Sequence, residues 1–447
     1  MSAPQSPAPR TGSPTRVIVA SLIGTSLEWY DFFLYGSAAA LVFNTLFFPT
    51  FEELTGTLLA FTTYAVGFVA RPLGGIVFGH FGDLLGRKSV LVITLLLMGI
   101  STCLIGVLPT YEAIGVAAPI LLVALRFLQG IGLGGEWGGA VLMSIEHGGA
   151  DRRGLNASWP QVGVPAGNLL AAGVLGLLSA LMPQEAFLSW GWRVPFLLSG
   201  LLVLVGLWIR VTIAESPLFT EVEQANKKAK VPILEVIQRH PRSLLSAMAA
   251  RIGTDVVFYT FTLYILTYLT QTLDLPRTIG LNAVLIGSAF QLVLIPLFGL
   301  LSDRYGRRPV YLAGAIGAGV WVFAFFPLLD TRSNFAIIVA AVVALLFHAM
   351  MYGPQAAFIA ELFSTRLRYS GASMGYQVAG ILGGALAPII ALSLLEAFGT
   401  TLVISLYVVV ALLITAGGLA IAPETRDIDL HEEAPGGVTT HARPTSA

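Results

Sequence analysis

Charged residues are scarce in this chain of 447 residues. Lys, Arg, Asp and Glu together make up 11% of the sequence, whereas soluble proteins carry roughly a quarter. The 25 basic residues balance the 25 acidic ones, and no basic patch indicates a nucleic acid partner. Because 55% of the residues are apolar and the mean hydropathy is +0.80, the composition excludes an ordinary soluble protein and indicates a lipid bilayer as the main solvent.

Cysteine pairs, metal-binding clusters and nucleotide-binding loops are also missing. The single cysteine, Cys103, lies in an apolar stretch, so no intramolecular disulfide can form. No HExxH motif or comparable cluster of His, Cys and acids occurs in the apolar segments, which argues against a metal site and against a membrane enzyme. The glycine runs at 130–135 and 380–384 lie inside apolar helices, and the segment 82–89 is one residue short of Walker A spacing. We therefore expect no cofactor and an ion gradient as the energy source.

The apolar residues form twelve long runs. Crossing about 30 Å of hydrocarbon takes about 20 helical residues, and the runs reach or exceed that length. We therefore predict an all-α integral membrane protein with twelve transmembrane helices. The predicted spans are 17–48, 54–80, 88–109, 114–147, 155–182, 190–213, 243–272, 277–301, 309–329, 335–362, 368–398 and 400–422.

The basic residues are distributed unevenly between the two sides of the predicted membrane. With both termini in the cytoplasm, 19 Lys and Arg residues fall in cytoplasmic segments, three outside and three within the membrane. This asymmetry follows the positive-inside rule and sets the predicted orientation. The predicted domains are a disordered cytoplasmic N-terminus (1–16), an N-terminal six-helix bundle (17–213), a cytoplasmic linker (214–242), a C-terminal six-helix bundle (243–422) and a cytoplasmic tail (423–447).

A pattern of glycines and charges occurs twice, 220 residues apart. Each copy follows an even-numbered span and faces the predicted cytoplasm, and further matching charges close spans four and ten. Such repeats indicate an internal duplication, so we expect two pseudo-symmetric six-helix bundles. The paired positions are Gly79 and Gly299, Asp83 and Asp303, Gly86 and Gly306, Arg87 and Arg307, Lys88 and Arg308, Glu146 and Glu361, and Arg153 and Arg368.

The repeated loop has the pattern G-x3-D-x2-G-R-K/R and resembles the hallmark of the major facilitator superfamily. Longer strings are similar to the metabolite:proton symporter family, namely GTSLEWYDFFLYG (24–36), RPLGGIVFGHFGD (71–83), RFLQGIGLGGEWGGA (126–140) and YGPQAAFIAELF (352–363). The resemblance covers nearly the whole chain outside its two tails. It implies secondary active, proton-coupled transport by alternating access. Members of that family carry shikimate, dicarboxylates, keto acids or citrate, or zwitterions such as proline and betaine.

Charged residues at the cytoplasmic ends of the spans are predicted to form one ion-pair cluster per bundle. A carboxylate at a helix C-terminal end is disfavoured by the helix dipole unless cations or a neighbouring helix N-terminus compensate. We interpret the clusters as a latch that closes the cytoplasmic side, and ordinary positive-inside anchors are the alternative. The predicted members are Asp83, Arg87, Lys88, Glu146, Arg153, Glu215, Asp303, Arg307, Arg308, Glu361, Arg368 and Glu424.

Charges predicted to lie at mid-membrane are candidates for function, because each costs about 2.5 to 3.5 kcal/mol there. Spans one and seven, which are equivalent under the repeat, each carry a polar face that we expect to line a central cavity between the bundles. These faces recur at helical spacing. They consist of Glu28, Asp31 and Tyr35 on span one, and of Arg251, Asp255 and Tyr259 on span seven.

Acids outnumber arginines in this layer. Four acids stand against three arginines, so one carboxyl lacks a permanent cationic partner and can take up a proton in a low dielectric. A proton symporter needs this chemistry. Glu136 could equally be a packing residue among glycines, and His348 could be a neutral cavity-lining residue rather than a relay. The candidate proton-coupling residues are Glu28, Asp31, Asp255, Glu136 and His348, with Glu28 and Asp31 favoured.

The mid-membrane arginines favour an anionic substrate, because a planar guanidinium pairs bidentately with a carboxylate. We expect a small organic acid: a mono- or dicarboxylate, a keto acid or a shikimate-like compound. The alternatives are a zwitterionic osmolyte whose ammonium meets aromatic faces, and an uncoupled facilitator or exchanger of the same fold. The candidate substrate-binding residues are Arg71, Arg126, Arg251, Tyr35, Trp29, Tyr259, Tyr352 and Gln355, with Arg71 and Arg126 favoured.

Composition and resemblance together predict the cellular setting. We expect a multi-pass protein of a bacterial inner membrane that works as a monomer. Its predicted partners are a small-molecule substrate, protons and the lipid bilayer, without nucleic acid or metal.

Overall fold

A computed structural model describes residues 14–85, 87–134, 150–212, 232–363 and 367–428, together with Trp137, Val141, Ser144 and Ile145. Within these residues, the side chains of 14–21, 79–85, 87–91, 209–212, 232–234 and Tyr369 are not described. All regular secondary structure in the described part is helical.

Twelve long helices carry the fold, and each begins within a few residues of the start of a predicted span. The predicted end of span four, at 147, lies outside the described residues. The twelve helices are α1 (Pro14–Ala38), α2 (Glu53–Leu85), α3 (Arg87–Val107), α4 (Ala117–Leu133), α5 (Arg153–Leu181), α6 (Arg193–Thr212), α7 (Pro241–Tyr259), α8 (Arg277–Tyr305), α9 (Arg307–Asp330), α10 (Asn334–Glu361), α11 (Arg368–Gly380) and α12 (Thr401–Ile421). Short helical pieces extend α1 to Phe47, α7 to Thr272 and α11 to Phe398.

Glycines separate consecutive helices where the chain reverses. Gly306, between α8 and α9, has φ +100°, and Gly399, before α12, has φ +66°. Both angles lie in the region that a residue without Cβ adopts at little cost. The short connections therefore make these neighbouring helices antiparallel.

The predicted membrane-crossing character is confirmed. Eight of the described helices are long and apolar enough to cross a membrane, and the bent pair Gln184–Gly191 and Arg193–Trp208 forms a ninth candidate. Val92–Val107 and Ala117–Leu133 are shorter apolar helices, and α1 occupies the remaining predicted position. The twelve helices thus match the predicted all-α membrane fold class.

The helices pack as two halves, α1–α6 and α7–α12, that meet along their length. Between the halves, α5 packs against α8 and α10, and α2 packs against α11. Helix α7 with its extension is the most enclosed span: 94% of its apolar window is buried, against 33–50% in the other single spans. Side chains such as Val293 and Val320 are instead about 70% exposed and suit contact with lipid.

Three of the spans change to π-helical geometry near the interface between the halves. The segments are Ala39–Phe43 after α1, Thr260–Tyr264 after α7 and Ile381–Ala385 after α11. The first two occupy nearly equivalent places under the sequence repeat. Such segments shift the side-chain register of a helix and are frequent at functional sites.

Candidate functional site

A narrow cavity lies between the two halves. The space that the centre of a water molecule can occupy inside it is about 20 Å³, so the cavity holds little more than one water. The cavity is therefore too small for an organic substrate in this conformation. The lining residues are Thr25, Glu28, Trp29, Arg71, Leu133, Trp137, Pro160, Tyr376 and Gln377.

Arg71 contributes a positive charge to the wall of this cavity. Its side chain is buried at 1% exposure, and its guanidinium carbon lies 4.1 Å from the ring centre of Phe32 and 4.3 Å from that of Phe68. The Nε and Nη2 groups have no hydrogen-bond partner within the described part of the chain. A desolvated guanidinium with open N–H groups beside a cavity is a ready partner for a carboxylate.

Arg126 is kept apart from the cavity. Its guanidinium carbon lies 4.2 Å from the ring centre of Phe32, 4.3 Å from that of Tyr35 and 4.8 Å from that of Tyr64. Nη1 donates to Gln129 Oε1 at 3.1 Å, while Nε and Nη2 lack a partner in the described part. The sequence predicted that Arg71, Arg126 or both hold the substrate carboxylate. In the structure aromatic rings enclose Arg126, and of these two arginines Arg71 lines the cavity.

The two acids of span one point in different directions. Glu28 lines the cavity, whereas Asp31 accepts a hydrogen bond from Ser199 Oγ on α6 at 2.5 Å. Tyr35, one turn farther, donates to Thr63 Oγ1 at 2.7 Å inside the same half. The predicted polar face of α1 is therefore divided, because α2, α3 and α6 surround its second half.

On α7, two residues of the predicted polar face form an ion pair. Arg251 Nε and Asp255 Oδ2 are 2.7 Å apart, and the guanidinium lies 3.0 Å from the ring centre of Tyr376 on α11. Trp137 stacks on Tyr376 with ring centres 3.6 Å apart and planes inclined by 11°. Gln377 Nε2 also donates to the Gly134 carbonyl at 3.2 Å. These contacts join the residues that follow α4 to α11, and Trp137, Tyr376 and Gln377 line the cavity.

A layer of aromatic rings lies between the two halves. Phe33 of α1 meets Phe258 of α7 with ring centres 5.5 Å apart, and Phe68 of α2 meets Tyr259 at 5.6 Å. Tyr259, predicted to touch substrate, lies in this layer rather than in the cavity wall. Rings from both halves interdigitate in this layer. A substrate can therefore pass only when the two halves separate at these rings.

The remaining candidates of α10 lie inside the second half. His348 Nδ1 and Gln291 Nε2 are 2.7 Å apart, and Gln355 Nε2 donates to Tyr311 Oη at 2.6 Å. Tyr352 Oη lies 3.2 Å from the hydroxyl of Tyr376, so it borders the cavity only through that ring. None of the three lines the cavity itself.

A dense ion-pair cluster occupies one end of the molecule, which we call the latch end. Arg307 pairs with Asp303 at 2.6 Å and with Glu361 at 3.1 Å, and Arg153 of the other half lies 3.7 Å from Glu361. The carboxylate of Asp303 also accepts the backbone N–H groups of Gly154 and Leu155 at 2.7 and 2.9 Å. These two groups belong to the first turn of α5, where the helix dipole favours an anion.

The segment after α12 joins this cluster. Glu424 accepts the backbone N–H groups of Arg307 and Arg308 at 2.8 and 3.0 Å, and Thr425 Oγ1 donates to Glu361 at 2.6 Å. Arg368 Nε donates to the carbonyls of residues 360 and 363 near the end of α10. The ion-pair cluster at the latch end therefore also contains hydrogen bonds from main-chain groups.

Most side chains of the equivalent cluster predicted for the first half lie outside the part of the chain that the structure describes. Glu136, Glu146 and Glu215 are not among the described residues. The side chains of Asp83, Arg87 and Lys88 are not described either. Within the described residues, no group of His, Cys, Asp or Glu could hold a metal ion.

Sequence reasoning missed the aromatic and amide partners of the charges. Phe32 shares its ring between two arginines, and Trp137 and Tyr376 form the stack that bridges the halves. Gln129 follows Arg126 by three residues, so helical spacing alone could have indicated this contact. The other contacts join residues far apart in sequence, and a single sequence carries no signal for them.

Known membrane transporters are similar to this chain over most of its length. The family model described as sugar (and other) transporter matches residues 16–240 and 219–435. The chain is 44% identical over 405 residues to the shikimate transporter of Escherichia coli (strain K12), covering 90% of this chain and 92% of that protein. It is 33% identical over 411 residues to the proline/betaine transporter of the same organism, covering 89% and 81%.

A solved structure supports the fold. The crystal structure of a D-xylose-proton symporter matches with a TM-score of 0.70 at 21% identity, covering 92% of this chain and 98% of that one. A second solved structure, of the major facilitator superfamily proton:xylose symporter XylE, matches with a TM-score of 0.71 at 18% identity, covering 92% of this chain and 96% of that one. With two helical halves that enclose a cavity with charged residues in its wall, and with relatives named as transporters, the chain belongs to the sugar (and other) transporter family and is a membrane transport protein.

Proposed function

We propose that the protein is a secondary active transporter that carries a small organic acid together with protons by alternating access. One observation carries this proposal: Arg71 is buried in the wall of the cavity between the halves, and its Nε and Nη2 have no partner in the described part of the chain. Leaving such groups unpaired is costly. A substrate carboxylate would satisfy both in the bidentate geometry that a guanidinium prefers.

The cavity walls favour a compact acid with a ring-shaped body. Trp29, Trp137 and Tyr376 line the cavity together with Arg71, and Gln377 adds a neutral amide. A shikimate-like acid has a carboxylate for the guanidinium and a six-membered ring for the aromatic walls. The 44% identity with a protein named shikimate transporter supports this substrate class.

The acid in the same cavity supports the proposed proton coupling. Glu28 lines the wall that contains Arg71, so an entering carboxylate would meet a second carboxylate. Two like charges in a dry site are unfavourable, and a proton on one of them removes the repulsion. Proton and substrate would therefore load together, and the proton gradient rather than a cofactor would supply the energy.

The proposed setting is a bacterial inner membrane, with both termini in the cytoplasm and the latch end facing it. The excess of Lys and Arg in the predicted cytoplasmic segments supports this orientation. A relative with 42% identity over 419 residues is named an inner membrane metabolite transport protein, which supports the location. We further propose that the monomer is the transporting unit, because its cavity is enclosed by helices of one chain.

A zwitterionic osmolyte is the second candidate substrate. The aromatic rings of Trp29, Trp137 and Tyr376 beside the acid Glu28 could surround an ammonium group. The identity with a protein named proline/betaine transporter is consistent with that possibility. Arg71 in the same wall disfavours a cationic group, so the acid remains our first choice.

Uptake into proteoliposomes tests the proposal. We expect shikimate to accumulate when the outside is acidic, and a protonophore to abolish the accumulation. Glu28→Gln and Asp31→Asn should lose accumulation but retain exchange between equal pools, since exchange needs no net proton movement. Glu52→Gln, which removes an exposed acid, is the matched control.

Three outcomes would contradict parts of the proposal. Accumulation of glycine betaine without shikimate would favour the osmolyte. Shikimate uptake that ignores the pH gradient would favour an uncoupled facilitator. Accumulation by both acid variants would place the proton site elsewhere, with Asp255 and Glu136 as the next candidates.

A further inference from the structure

The side chain of Gln377 reaches across the boundary between the two halves. Gln377 belongs to α11, and its Nε2 donates to the carbonyl oxygen of Gly134, directly after α4, at 3.2 Å. A carbonyl oxygen only accepts hydrogen bonds, so the amide turns its NH2 group toward Gly134. This contact therefore fixes which end of the amide is the donor, and it leaves the amide oxygen, Oε1, for another partner.

The amide oxygen of Gln377 is an open hydrogen-bond acceptor. Oε1 is buried and has no partner in the described part of the chain, although Gln377 lines the cavity. A buried acceptor without a partner costs free energy, because it has lost its hydrogen bonds with water and gained none in the protein. Most buried polar side-chain atoms are paired, so an unpaired one in a residue of the cavity wall indicates a place for a donor group of a ligand.

Gln377 and Arg71 both contact Gly134. The backbone of Gly134 packs against that of Arg71, and a Cβ on Gly134 would collide with the Arg71 carbonyl oxygen. Arg71 offers the unpaired donors Nε and Nη2, whereas Gln377 offers an unpaired acceptor. The open groups of the two residues are therefore complementary to a ligand that carries both a carboxylate and a hydrogen-bond donor.

We propose that Gln377 determines specificity by accepting a hydrogen bond from a hydroxyl group of the substrate, so that the protein selects hydroxylated acids over acids without a donor group. This inference rests on the proposed function, because it takes Arg71 as the site of the carboxylate. Shikimate belongs to the selected class, since its ring carries hydroxyl groups beside the carboxylate. Glycine betaine belongs to the rejected class, because its methylated nitrogen has no N–H group.

The selectivity has its physical basis in the buried acceptor. A site that bonds a hydroxyl group of its ligand discriminates strongly against the analogue without that group, because the acceptor then stays unpaired in the complex. Arg71 belongs to the first half and Gln377 to the second. A hydroxylated acid that bonds both residues therefore also holds the two halves together around it.

Two other side chains of the wall could bond a hydroxyl group. Thr25 carries a hydroxyl and Glu28 a carboxyl, and both line the cavity. Neither of them pairs with the amide oxygen of Gln377 in the structure. Substitution of Gln377 itself is therefore needed to separate its contribution from theirs.

The test compares the binding of shikimate and of cyclohexenecarboxylate to the detergent-purified full chain by calorimetry. The second acid has the same unsaturated ring and carboxylate as shikimate but no hydroxyl group. For the wild type we expect shikimate to bind about 10- to 100-fold more tightly, because only shikimate can pair with the amide oxygen. Gln377→Met removes the amide at nearly constant size and should reduce this ratio to about threefold or less.

Matched variants separate hydroxyl recognition from a loss of packing, since the ratio of two affinities in one variant cancels a general effect on the cavity. Gln377→Asn keeps an amide but is one methylene shorter, so it cannot bond Gly134 and the substrate together and should also lower the ratio. Gln291→Met is the control and should keep the wild-type ratio. Gln291 also has a buried, unpaired Oε1, but it bonds the Leu345 carbonyl and His348 and is not among the described residues that line the cavity.

The outcomes distinguish this inference from the proposed function. If the wild type binds neither acid, the proposed function fails and the inference fails with it. If the wild type binds both acids equally well, binding of an organic acid stands but the selection of hydroxylated acids is wrong. A folded Gln377→Met or Gln377→Asn protein that keeps the wild-type ratio would show that another group of the wall recognises the hydroxyl, and would overturn the role of Gln377.

Discussion

Arg71 and Arg126 illustrate how residues of one type acquire different tasks at the residue scale. Both are buried, both lie over Phe32 and both leave Nε and Nη2 unpaired in the described part. Of the two, Arg71 borders the cavity, whereas Arg126 bonds Gln129 and is enclosed by aromatic rings. A buried cation whose donors remain open is expensive, so these positions are the ones where a ligand gains most.

Arg71→Lys should weaken shikimate binding by about 10- to 100-fold. An ammonium cannot reproduce the bidentate fork, and hydrogen bonds to charged groups are each worth about 1.5 to 3 kcal/mol. Calorimetry at fixed pH measures the loss. Arg193→Lys is the control, since Arg193 bonds the carbonyls of residues 106 and 108 away from the cavity. Wild-type affinity in Arg71→Lys would remove this residue from the site.

The sequence could predict the charged residues of the site but not their surroundings. Glu28, Arg71 and Asp255 stand out because a charge inside an apolar run needs a reason. The pair of Arg251 and Asp255 was also predictable, because the two residues are four apart on one helix. The stack of Trp137 on Tyr376 was not, because it joins helices that are distant in the chain.

At the scale of elements, the contact between α8 and α5 joins two helix ends. The carboxylate of Asp303 lies at the end of α8 and accepts the first N–H groups of α5, which belongs to the other half. Gly299 and Gly154 make this approach possible, because a Cβ on Gly299 would lie 2.8 Å from the Gly154 carbonyl oxygen. The dipole of α5 thus compensates an anion that the dipole of α8 disfavours.

Asp303→Asn should shift the protein toward the state that is open at the latch end. The amide keeps the shape but loses the charge-assisted bonds, each worth about 1.5 to 3 kcal/mol, so the population should move by about tenfold or more. A cysteine placed at Thr25, in a Cys103→Ala background, reports cavity access from the cytoplasm through its alkylation rate. Glu396→Gln, an exposed acid elsewhere, is the control. Unchanged labelling would contradict the latch interpretation.

The apolar runs predicted the positions of the helices closely. They did not predict the bends and irregular segments within the helices. The predicted span 277–301 continues to Tyr305, and span 190–213 begins with a bend of 42° between Gly191 and Arg193. The π-helical segments after α1, α7 and α11 were also not visible in the sequence. Such breaks depend on how neighbouring helices pack, which hydropathy does not report.

The whole molecule is closed on both sides of the cavity. At the latch end, Asp303 and Glu361 bind groups of the first half, and at the other end Gln271 donates to Thr57 at 2.7 Å and Arg277 to Ser179 at 2.9 Å. The halves therefore touch at both ends of α5 and α8. In the proposed alternating-access cycle, these two sets of contacts would break in turn.

Trp137→Ala should open the cavity toward the latch end. Aromatic pairs contribute about 0.5 to 1.5 kcal/mol beyond the area that they bury, so we expect cytoplasmic labelling of the Thr25 cysteine to increase about two- to tenfold. Tyr376→Leu, which removes the other ring, should act in the same direction. Trp190→Ala, an exposed tryptophan at the opposite end, serves as the control. Labelling equal to the control in both variants would show that the stack does not close the cavity.

The sequence by itself determined that the protein lies in a lipid bilayer, where its helices run and which charges they carry. Apolar runs of membrane length, the doubled loop pattern and the buried acids and arginines are local properties that a single chain displays. Only the tertiary structure decided which charges face the cavity, because that depends on how α2, α3 and α6 surround α1. It placed Arg71 in the cavity and Arg126 behind aromatic rings, although the sequence predicted the same role for both. Residues far apart in the chain create these environments, and their separation along the sequence leaves no local pattern to read.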